Sequence, residues 1–548
     1  MKMKMNRLVK LFTLLALVVL GLSATLVPTG NKYFEIIKNI EIFTNLYKEV
    51  NTYYVDDLDP GKLMKTGIDA MVGSLDPYTN YMSESEIQGY RLYTEGNYNG
   101  LGAVSEKMGA YVVITELYED QPADKAGLKV GDKIVAINGM DAKNRNVEEV
   151  NNMLAGVAST DVSLTIERPG TPEPLVIKLT RGEINVPNVP YHGMVSDHVG
   201  YINLTIFTND AGRNVARALK DLKTKDPELK GVILDLRDNG GGLLHEAVNV
   251  CNVFIPQGQL VTSTRGKVVE WDRSYHTQNP SVDEDIPLVV LINKRSASAS
   301  EIVSGVIQDY DRGVLLGQRS YGKGLVQNTM DIGYNSRVKI TTAKYYIPSG
   351  RCIQSVEYAN GEPVSIPDEQ RAVFKTKAGR PVLDGGGVKP DVAIDPFAEE
   401  PVVKALIKQQ LVFDYVTNFA LKHPEIAAIE DFRFEDFEDF MKFVADKNFD
   451  YETEATAALR KLREKVASEQ ADVLADIDRL SEKLEQSKQK SLVAYKDLIT
   501  DLIEKEIAGR YYFQRGKTQM GLRNDVEIKE AVKLLSDSAT YASLLKSN

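Results

Sequence analysis

The sequence predicts a multidomain α/β protein in which a parallel α/β core carries an inserted small β domain and is flanked by helical regions. At 548 residues the chain is too long for one ordinary domain, and 43% hydrophobic residues suffice for several buried cores. Short β-rich runs separated by Gly and Asp turns occupy one stretch, and apolar strands alternating with helical segments follow it. We therefore expect five parts, with the boundaries 1–30, 31–95, 96–185, 186–399 and 400–548.

The first part has the layout of a signal peptide or a signal anchor. Four basic residues precede an uncharged apolar run, residues 11–27, which is at the short edge of what spans a bilayer. Gly21-Leu22-Ser23 offers a small-residue cleavage site, so both forms stay open, and a buried core helix is the less favoured alternative. We expect an exported chain, periplasmic or anchored in the inner membrane, with everything after Pro28 outside the cytoplasm.

The flanking regions 31–95 and 400–548 read as helical because their apolar residues recur at helical spacing. The first is interrupted at Leu75-Asp76-Pro77-Tyr78. The second is predicted to be an amphipathic helical arm. Its apolar stripe consists of Leu459, Leu462, Val466, Val473, Ile477, Leu480 and Leu484. That stripe packs either on the core or on a second copy of the chain, so a homo-oligomer formed through these helices is one candidate assembly.

Charge and cysteine content exclude several classes of function. A net charge of −11 disfavours nonspecific nucleic-acid binding, and no nucleic-acid partner is expected. Cys251 and Cys352 are too few for a disulfide framework and are predicted to be small buried hydrophobes. The five histidines have no metal-ligand spacing, so no metal site and no cofactor are expected.

The β domain contains a glycine loop followed by a longer glycine-punctuated stretch. The loop is Gly100-Leu101-Gly102-Ala103, and the stretch runs over 126–139. Together they resemble a PDZ domain. In that family the loop offers backbone N–H groups to the terminal carboxylate of a peptide, which extends a sheet edge. The resemblance therefore implies peptide binding at Gly100, Leu101, Gly102 and Ala103, and a structural turn without ligand is the alternative.

Arg168 stands at the end of a predicted strand of this domain. We expect it to be a solvated strand-end arginine, and the alternative is a role in relaying peptide binding.

A serine lies where a strand of the core meets a helix. The apolar run 288–292 leads into Ser296-Ala297-Ser298-Ala299-Ser300-Glu301 and then into an apolar helical pattern. Free N–H groups and the helix dipole at such a position can stabilise a developing oxyanion. Ser298 with Glu301 also fits a capping box, so this stretch alone is more typical of a structural helix cap.

Farther on, a lysine lies between two glycines. A neutral Lys323 could act as the base for a serine nucleophile, provided that burial brings its pKa from about 10.4 to near 7, which disfavours the charged form by about 4 to 5 kcal/mol. Gln327, four positions on, would present its amide on the same side of an extended segment. Alone, such a lysine is more typical of a surface or phosphate-binding group.

Taken together, these two stretches resemble the tail-specific proteases, also called C-terminal processing peptidases. The resemblance covers about residues 35–395. It also includes the motifs at 75–78, 235–242, 345–351 and 387–391. It implies that Ser298 is the nucleophile, Lys323 the general base and Gln327 its support. It further implies a crotonase/Clp-like protease core with an inserted PDZ-like domain.

The function so implied is a serine endopeptidase with an acyl-enzyme mechanism. It would cleave exported proteins near their C-termini while the PDZ-like domain binds the substrate C-terminus. Its expected partners are protein or peptide substrates, and an adaptor lipoprotein is a further candidate partner.

The glycine run Gly240-Gly241-Gly242 follows a buried strand and precedes a helix. Such a turn exposes N–H groups at a helix N-terminus. We expect the backbone of Gly241 or Gly242 to form part of an oxyanion hole together with that of Ala299, and the alternative is a structural turn.

Three alternatives remain. His245 could serve a Ser-His-Asp triad, but no pattern places it near both a serine and a carboxylate. The chain could be a non-catalytic PDZ scaffold or adaptor of the cell envelope. Segment 355–386 is either a lid or a loop.

Overall fold

The structure is a computed structural model that describes residues 29–83, 86–87, 90, 94–354, 356–359, 362–395, 400–466 and 471–546. The predicted signal segment lies outside the described residues except at its last two positions. Within the described ranges, no helix combines the length and the hydropathy needed to cross a membrane. The chain divides into two compact units, Met1–Tyr81 and Met82–Asn548.

The first unit contains two helices. They are α1 (Thr29–Tyr53) and α2 (Pro60–Gly73), and the short strand β1 (Asn80–Met82) follows them. Helix α2 begins where Asp59 accepts a hydrogen bond from the N–H of Lys62 at 3.1 Å, with proline at the first helical position. It ends before the Leu-Asp-Pro-Tyr break, where Asp76 Oδ1 accepts hydrogen bonds from the N–H groups of Tyr78 and Thr79.

The PDZ-like domain is a twisted antiparallel sheet with two short helices. Its elements are β2 (Asn97–Gly100), β3 (Ala103–Met108), β4 (Tyr111–Leu117), α3 (Pro122–Lys125), β5 (Lys133–Ile137), β6 (Met140–Asp141), α4 (Val147–Leu154), β7 (Asp161–Glu167), β8 (Leu175–Thr180) and β9 (Gly182–Asn185). The strand order is β3-β4-β5-β7-β8, with β6 beside β5 and with β2 paired to β9. Every second residue of β7 is buried, the alternation expected of a strand with one solvated face.

The core domain follows. Its elements are β10 (Tyr191–Ser196), β11 (Val199–Asn203), α5 (Ala211–Lys225), β12 (Gly231–Asp235), α6 (Leu244–Phe254), β13 (Leu260–Gly266), a 3₁₀ turn (Val269–Trp271), β14 (Arg273–His276), β15 (Leu288–Ile292), α7 (Ala299–Asp309), β16 (Val314–Gly317), β17 (Leu325–Gly333), β18 (Ser336–Tyr346), β19 (Val356–Ala359), β20 (Glu362–Ser365), a second 3₁₀ turn (Asp368–Gln370), β21 (Val373–Lys375), β22 (Pro381–Leu383) and β23 (Val392–Ala393). Within the described part of segment 355–386, β19 pairs with β20 and β21 pairs with β22, both antiparallel.

The central sheet has the order β10-β11-β12-β15-β16-β23 and is parallel except for the antiparallel pair β10 and β11. Strands β12 and β15 are buried along their whole length. Such continuous apolar runs suit a parallel sheet because helices cover both of its faces. The predicted α/β core with an inserted PDZ-like domain and flanking helical regions is confirmed.

Within the described residues, the C-terminal region consists of helices joined by loops and contains no strand. It contains α8 (Pro401–Lys408), α9 (Leu411–Lys422), α10 (Phe437–Asp446), α11 (Glu454–Lys465), α12 (Ala471–Ala494), α13 (Lys496–Leu522), α14 (Val526–Ser536) and α15 (Ser538–Leu544). Helices α5, α6 and α7 cover one face of the central sheet, and α14 and α15 cover the other through residues such as Ile528, Leu534 and Tyr541.

The C-terminal region is therefore more than the predicted amphipathic helical arm. The region has an aromatic-rich core of its own, centred on Phe440 and Tyr415. In the predicted stripe, Ile477 is buried whereas Leu462 and Leu480 remain about half exposed, at 48% and 50%. The residues that pack on the central sheet lie in α14 and α15, after the predicted stripe. Amphipathic spacing alone did not show that these helices pack on that sheet.

Candidate active site

Ser298 lies at the junction between β15 and α7, immediately before the first residue of the helix. Its backbone has φ 57° and ψ −113°, a conformation that L-residues avoid and that persists only when the surroundings enforce it. The surroundings here are hydrogen bonds on both sides. The N–H of Ala297 donates to Asn239 O at 3.0 Å, and Tyr345 OH donates to Ser298 O at 3.2 Å.

The lysine turn is attached to the serine turn through its backbone. The single hydroxyl proton of Tyr345 is shared between Ser298 O and Lys323 O, and the oxygen of Lys323 is the nearer acceptor, at 2.5 Å. Tyr345 is itself 1% exposed, so its ring is fixed by packing. One buried hydroxyl thus ties the two turns together.

Glu301 forms a second and stronger bridge between the same two turns. Its Oε2 accepts hydrogen bonds from the N–H groups of Ser298 and Lys323, both at 2.8 Å. Its Oε1 accepts hydrogen bonds from Ser320 Oγ at 2.5 Å and from the N–H of Gly322 at 2.6 Å. The carboxyl group is fully buried, and this burial raises its pKa from 4.5 to about 7 even though the four donors favour the ionised form.

The glycine run comes into direct contact with the serine turn. A side chain on Gly241 would place its Cβ 2.7 Å from Ala297 O and 2.8 Å from the Cβ of Ser298, and φ at Gly241 is 103°. Only glycine permits this approach. The N–H of Gly241 donates to Asn239 Oδ1 at 2.9 Å, so it is already engaged.

A cavity of about 310 Å³ brings the predicted groups together. Its lining includes Gly242, Ser298, Ala299, Lys323 and Gln327, but not Gly241. Apolar side chains complete much of the wall. They are Leu243, Leu244, Ile302, Leu325 and Val326. This arrangement can hold an extended chain beside a serine hydroxyl, a lysine amine and backbone N–H groups.

Gln327 lies on β17, next to the bulge that interrupts its pairing with β18. Its Nε2 donates to Thr341 Oγ1 at 3.1 Å. The amide is therefore fixed from the neighbouring strand while its residue faces the same cavity as Lys323.

Three groups at this site were not assigned from the sequence. Glu301 was identified only as a capping residue, although a glutamate at the third helical position was the visible signal. Asn239 accepts from Ala297 through its backbone and from Gly241 through its side chain, which fixes the glycine run. Tyr345 belongs to a motif noted in the sequence but carried no predicted role.

The predicted peptide-binding loop lies at the start of the edge strand β3. Ala103 opens this strand, which pairs only with β4 in the order of the described sheet. The loop is fixed by hydrogen bonds from the N–H of Tyr118 to Gly102 O at 3.0 Å and from the N–H of Ala123 to Leu101 O at 2.8 Å. Gly102 has φ 80°, which glycine adopts without strain.

Four further residues, His245, Arg168, Cys251 and Cys352, differ in burial and in their partners. His245 is 61% exposed, with Nε2 3.7 Å from Glu246, and does not line the cavity. Arg168 is not solvated as expected, because its guanidinium binds buried Asp132 through two contacts of 2.7 Å. Cys251 is buried as predicted, whereas Cys352 is only partly buried because it lies at the edge of the hairpin segment.

A buried ion cluster joins the strand before the glycine run to the C-terminal helices. The guanidinium of Arg237 binds Asp235 at 2.6 Å, Asp525 at 2.8 Å and Glu527 at 2.5 Å. Tyr201 OH also donates to Asp235, at 2.8 Å. Burial raises the pKa of the Glu527 carboxyl, although Arg237 acts in the opposite direction.

Three family profiles match consecutive parts of the chain. "Peptidase family S41" matches residues 198–360, "PDZ domain" matches 113–168, and "Probable PDZ-protease, C-terminal helical domain" matches 402–535.

Similar solved structures include a photosystem II D1 C-terminal processing protease, which is 26% identical with a TM-score of 0.35 over 65% of this chain and 93% of that one. The PDZ domain of a carboxy-terminal protease from Vibrio cholerae is 24% identical with a TM-score of 0.16, over 16% of this chain and 99% of that one.

Two curated relatives carry the comparison further. A probable CtpA-like serine protease of Staphylococcus aureus is 33% identical over 361 residues, which are 65% of this chain and 65% of the relative. A carboxy-terminal-processing protease of Bartonella bacilliformis is 37% identical over 343 residues, which are 62% of this chain and 77% of the relative. On that similarity and on the matching profiles, the chain belongs to the carboxy-terminal-processing proteases of peptidase family S41.

Proposed function

We propose that the chain is a serine endopeptidase of the C-terminal processing type that works through a Ser298/Lys323 dyad. The observation that carries this proposal is the single cavity lined by Ser298, Ala299, Lys323 and Gln327, with both turns bridged by one buried carboxylate. The non-catalytic scaffold is not favoured, since the chain belongs to a protease family.

In the proposed first step the neutral amine of Lys323 accepts the proton of the Ser298 hydroxyl as Oγ attacks the scissile carbonyl. A covalent tetrahedral intermediate forms, and its oxyanion receives hydrogen bonds from the backbone N–H groups of Ala299 and Gly242. We choose Gly242 over Gly241 because the N–H of Gly241 already donates to Asn239.

In the second step the ammonium of Lys323 gives its proton to the leaving amine, and the acyl-enzyme remains on Ser298. Water, deprotonated by the same lysine, then releases the new C-terminus and restores the hydroxyl. The amide of Gln327, fixed by Thr341, is proposed to orient the amine. The proposal requires the neutral form of Lys323, which burial among apolar side chains would favour.

The PDZ-like domain is proposed to bind the substrate C-terminus at the loop Gly100-Leu101-Gly102-Ala103. A bound peptide would extend the sheet along the free edge of β3 and present its carboxylate to the backbone N–H groups of the loop. The division of the chain at 96–185, 186–399 and 400–548 belongs to this proposal. So do export to the periplasm or the outer face of the inner membrane, and an adaptor lipoprotein as partner.

The test is degradation of an unfolded protein with an apolar C-terminus by the purified full-length chain and its Ser298→Ala, Lys323→Ala and His245→Ala variants. We expect wild type and the His245 variant to cut, and the other two to lose at least a thousandfold in rate. An active Lys323 variant would show that the base is another group, and an inactive wild type would overturn the proposal as a whole.

A further inference from the structure

The PDZ-like domain is connected to the core by two chain segments that lie side by side. Strand β2 enters the domain and β9 leaves it, and the two pair with Asn97 opposite Asn185. The N–H of Val186 donates to Gly96 O at 2.8 Å, next to that pair. Two connections at one place act as a single hinge, which leaves rotation about its own axis unrestrained.

Space for such a rotation exists beside the hinge. A cavity of about 700 Å³ is lined by Gly96 and Asn97 on one side and by Arg213 and Arg217 of α5 on the other. The linkers therefore do not by themselves fix the orientation of the PDZ-like domain on the core. Another contact, away from the hinge, must do so.

That contact comes from a break in helix α13. Tyr512 (φ −127°, ψ 16°) and Phe513 (φ 55°, ψ −155°) leave the helical conformation, and the helix resumes after them. Phe513 packs against the hydrophobic core of the PDZ-like domain, although it belongs to the C-terminal helical region. An aromatic residue in a backbone region that is otherwise typical of glycine persists only when its surroundings enforce it, and here the enforcing contact lies in another domain.

Polar contacts flank the ring of Phe513. Gln514 lies near Glu116 of β4 and opposes the burial that raises the pKa of that carboxyl, and Arg515 lies 3.6 Å from Glu119. Glu116 stands opposite Val104 of the edge strand β3, to which the substrate peptide is proposed to add. The latch, as we call residues 512–515, thus attaches one strand away from the proposed peptide site.

The same helical region touches the PDZ-like domain at a second place. Helix α9 approaches two of its turns so closely that a Cβ on Gly131 would lie 2.7 Å from Thr417, and one on Gly170 would lie 3.1 Å from Leu421. The domain is therefore attached to the C-terminal helices over more than a single side chain.

The helical region is in turn fixed to the protease core. Helix α14 begins four residues after α13 ends and packs on the central sheet, and Asp525 and Glu527 at its start bind Arg237, four residues before Gly241. A continuous path of packed elements leads from the peptide-binding sheet through the latch to the glycine run.

We infer that the latch and helices α13 and α14 form a rigid strut that fixes the distance between the peptide-binding loop and Ser298, and thereby sets how many residues are removed from a substrate. This inference rests on the proposed function. If the terminal carboxylate is bound at Gly100–Ala103 and the cut is made at Ser298, the length of the released fragment is the span between two sites that the strut holds apart. Loss of the latch removes one of the two attachments of the PDZ-like domain to the helical region and loosens its orientation at the hinge, so the same carboxylate position becomes compatible with several cut sites.

The test measures the lengths of C-terminal fragments released from an unstructured protein, by mass spectrometry at early time points, with the full-length chain. The variants are Phe513→Ala and Arg515→Glu, and the matched control is Phe449→Ala, which removes an aromatic of the same helical core that stacks on Tyr451 instead. A second substrate, a short peptide with an amidated C-terminus, reports the chemistry without carboxylate binding.

We expect wild type and Phe449→Ala to release a narrow set of lengths, and both latch variants to release at least twice as many lengths. Cleavage of the amidated peptide should stay within twofold for all four proteins. An unchanged length distribution in the folded latch variants, or a broad distribution in wild type, would overturn the inference. A wild type that cuts neither substrate would instead overturn the proposed function, and the inference with it. Arg515→Glu changes an exposed side chain and keeps the test decisive if Phe513→Ala does not fold.

Discussion

Replacement of Glu301 by glutamine tests the bridge between the serine turn and the lysine turn, because it keeps the shape of the side chain and removes one acceptor oxygen. The carboxylate accepts four hydrogen bonds, two on each oxygen. The amide NH₂ can face Ser320, whose hydroxyl can turn to accept, but it then also faces the N–H of Gly322. A donor cannot remain 2.6 Å from another donor, so the lysine turn must move away.

The size of the effect follows from two opposing quantities. The rise of the Glu301 pKa from 4.5 to about 7 means that ionisation opposes folding by about 3 kcal/mol above pH 7, and glutamine removes this cost. Each buried donor left without an acceptor costs about 1–3 kcal/mol. The net change in stability at pH 8 is therefore small, within about 2 kcal/mol. Activity should still fall by about a hundredfold, because a shift of about 1 Å in the lysine turn misplaces the base.

The pH dependence of stability gives an independent readout. Between pH 4.5 and about 7 the folded wild type holds a proton on Glu301 that the unfolded chain has lost, so its free energy of unfolding decreases as the pH rises through this window. The Glu301→Gln variant lacks that group. The difference in free energy of unfolding between the variant and wild type should therefore rise by about 3 kcal/mol from pH 4.5 to pH 8. Groups that titrate equally in both proteins cancel in this difference.

The assays are urea denaturation at several pH values and kcat/KM on a quenched fluorogenic peptide. Glu149→Gln is the matched control, since Glu149 accepts from the N–H of Asn146 in the same capping geometry but at the exposed surface. A folded Glu301→Gln enzyme within threefold of wild-type kcat/KM would refute the role of the bridge. Equal pH slopes in both proteins would refute the argument from the pKa.

Three further predictions concern the supports of the site. Gly241→Ala should lower kcat/KM at least a hundredfold on the same peptide, because its Cβ would displace the serine turn. Arg237→Met should cost about 3–5 kcal/mol in urea denaturation, because it leaves buried carboxylates unpaired, whereas the exposed pair of Arg295 should tolerate the same change within about 1 kcal/mol. Tyr541→Phe should cost about 1–3 kcal/mol by thermal or urea unfolding, because its hydroxyl bonds both backbone groups of Leu288, and the fully exposed Tyr334→Phe is its control.

Sequence patterns predicted the core where one physical requirement dominates. A short, β-branched apolar run such as 288–292 is typical of a buried strand, and a serine between such a run and a helical pattern is expected at a helix N-terminus. The structure places Ser298 there. Glu301 shows the limit of the same reasoning, because capping geometry is local while its bonds to Ser320, Gly322 and Lys323 depend on a turn about twenty residues away.

Tertiary contacts between distant segments had no comparable pattern in the sequence. Arg168 ends a strand and looked solvated, but its partner Asp132 lies 36 residues earlier in a turn whose position only the folded sheet determines. The break at Phe513 was invisible for another reason. Helix breaks are predicted from Gly or Pro. Gly509 and Gly516 flank this break, but the residues that leave the helical conformation are Tyr512 and Phe513, so tertiary packing rather than local propensity decides that conformation.

Glu301 and Tyr345 share one property that matters for the proposed dyad, because both contact the backbone of the lysine turn. Glu301 and Tyr345 bind Lys323 through its backbone N–H and carbonyl groups. The bridges therefore fix where the lysine side chain begins, and Lys323 lines a cavity whose wall includes Leu244, Ile302 and Val326. A bridge that bound the amine through a carboxylate would instead favour the charged form and remove the base. Using the buried carboxylate on the backbone, and apolar side chains along the cavity wall, lets one small region satisfy both the positioning and the proton chemistry that the proposed mechanism requires.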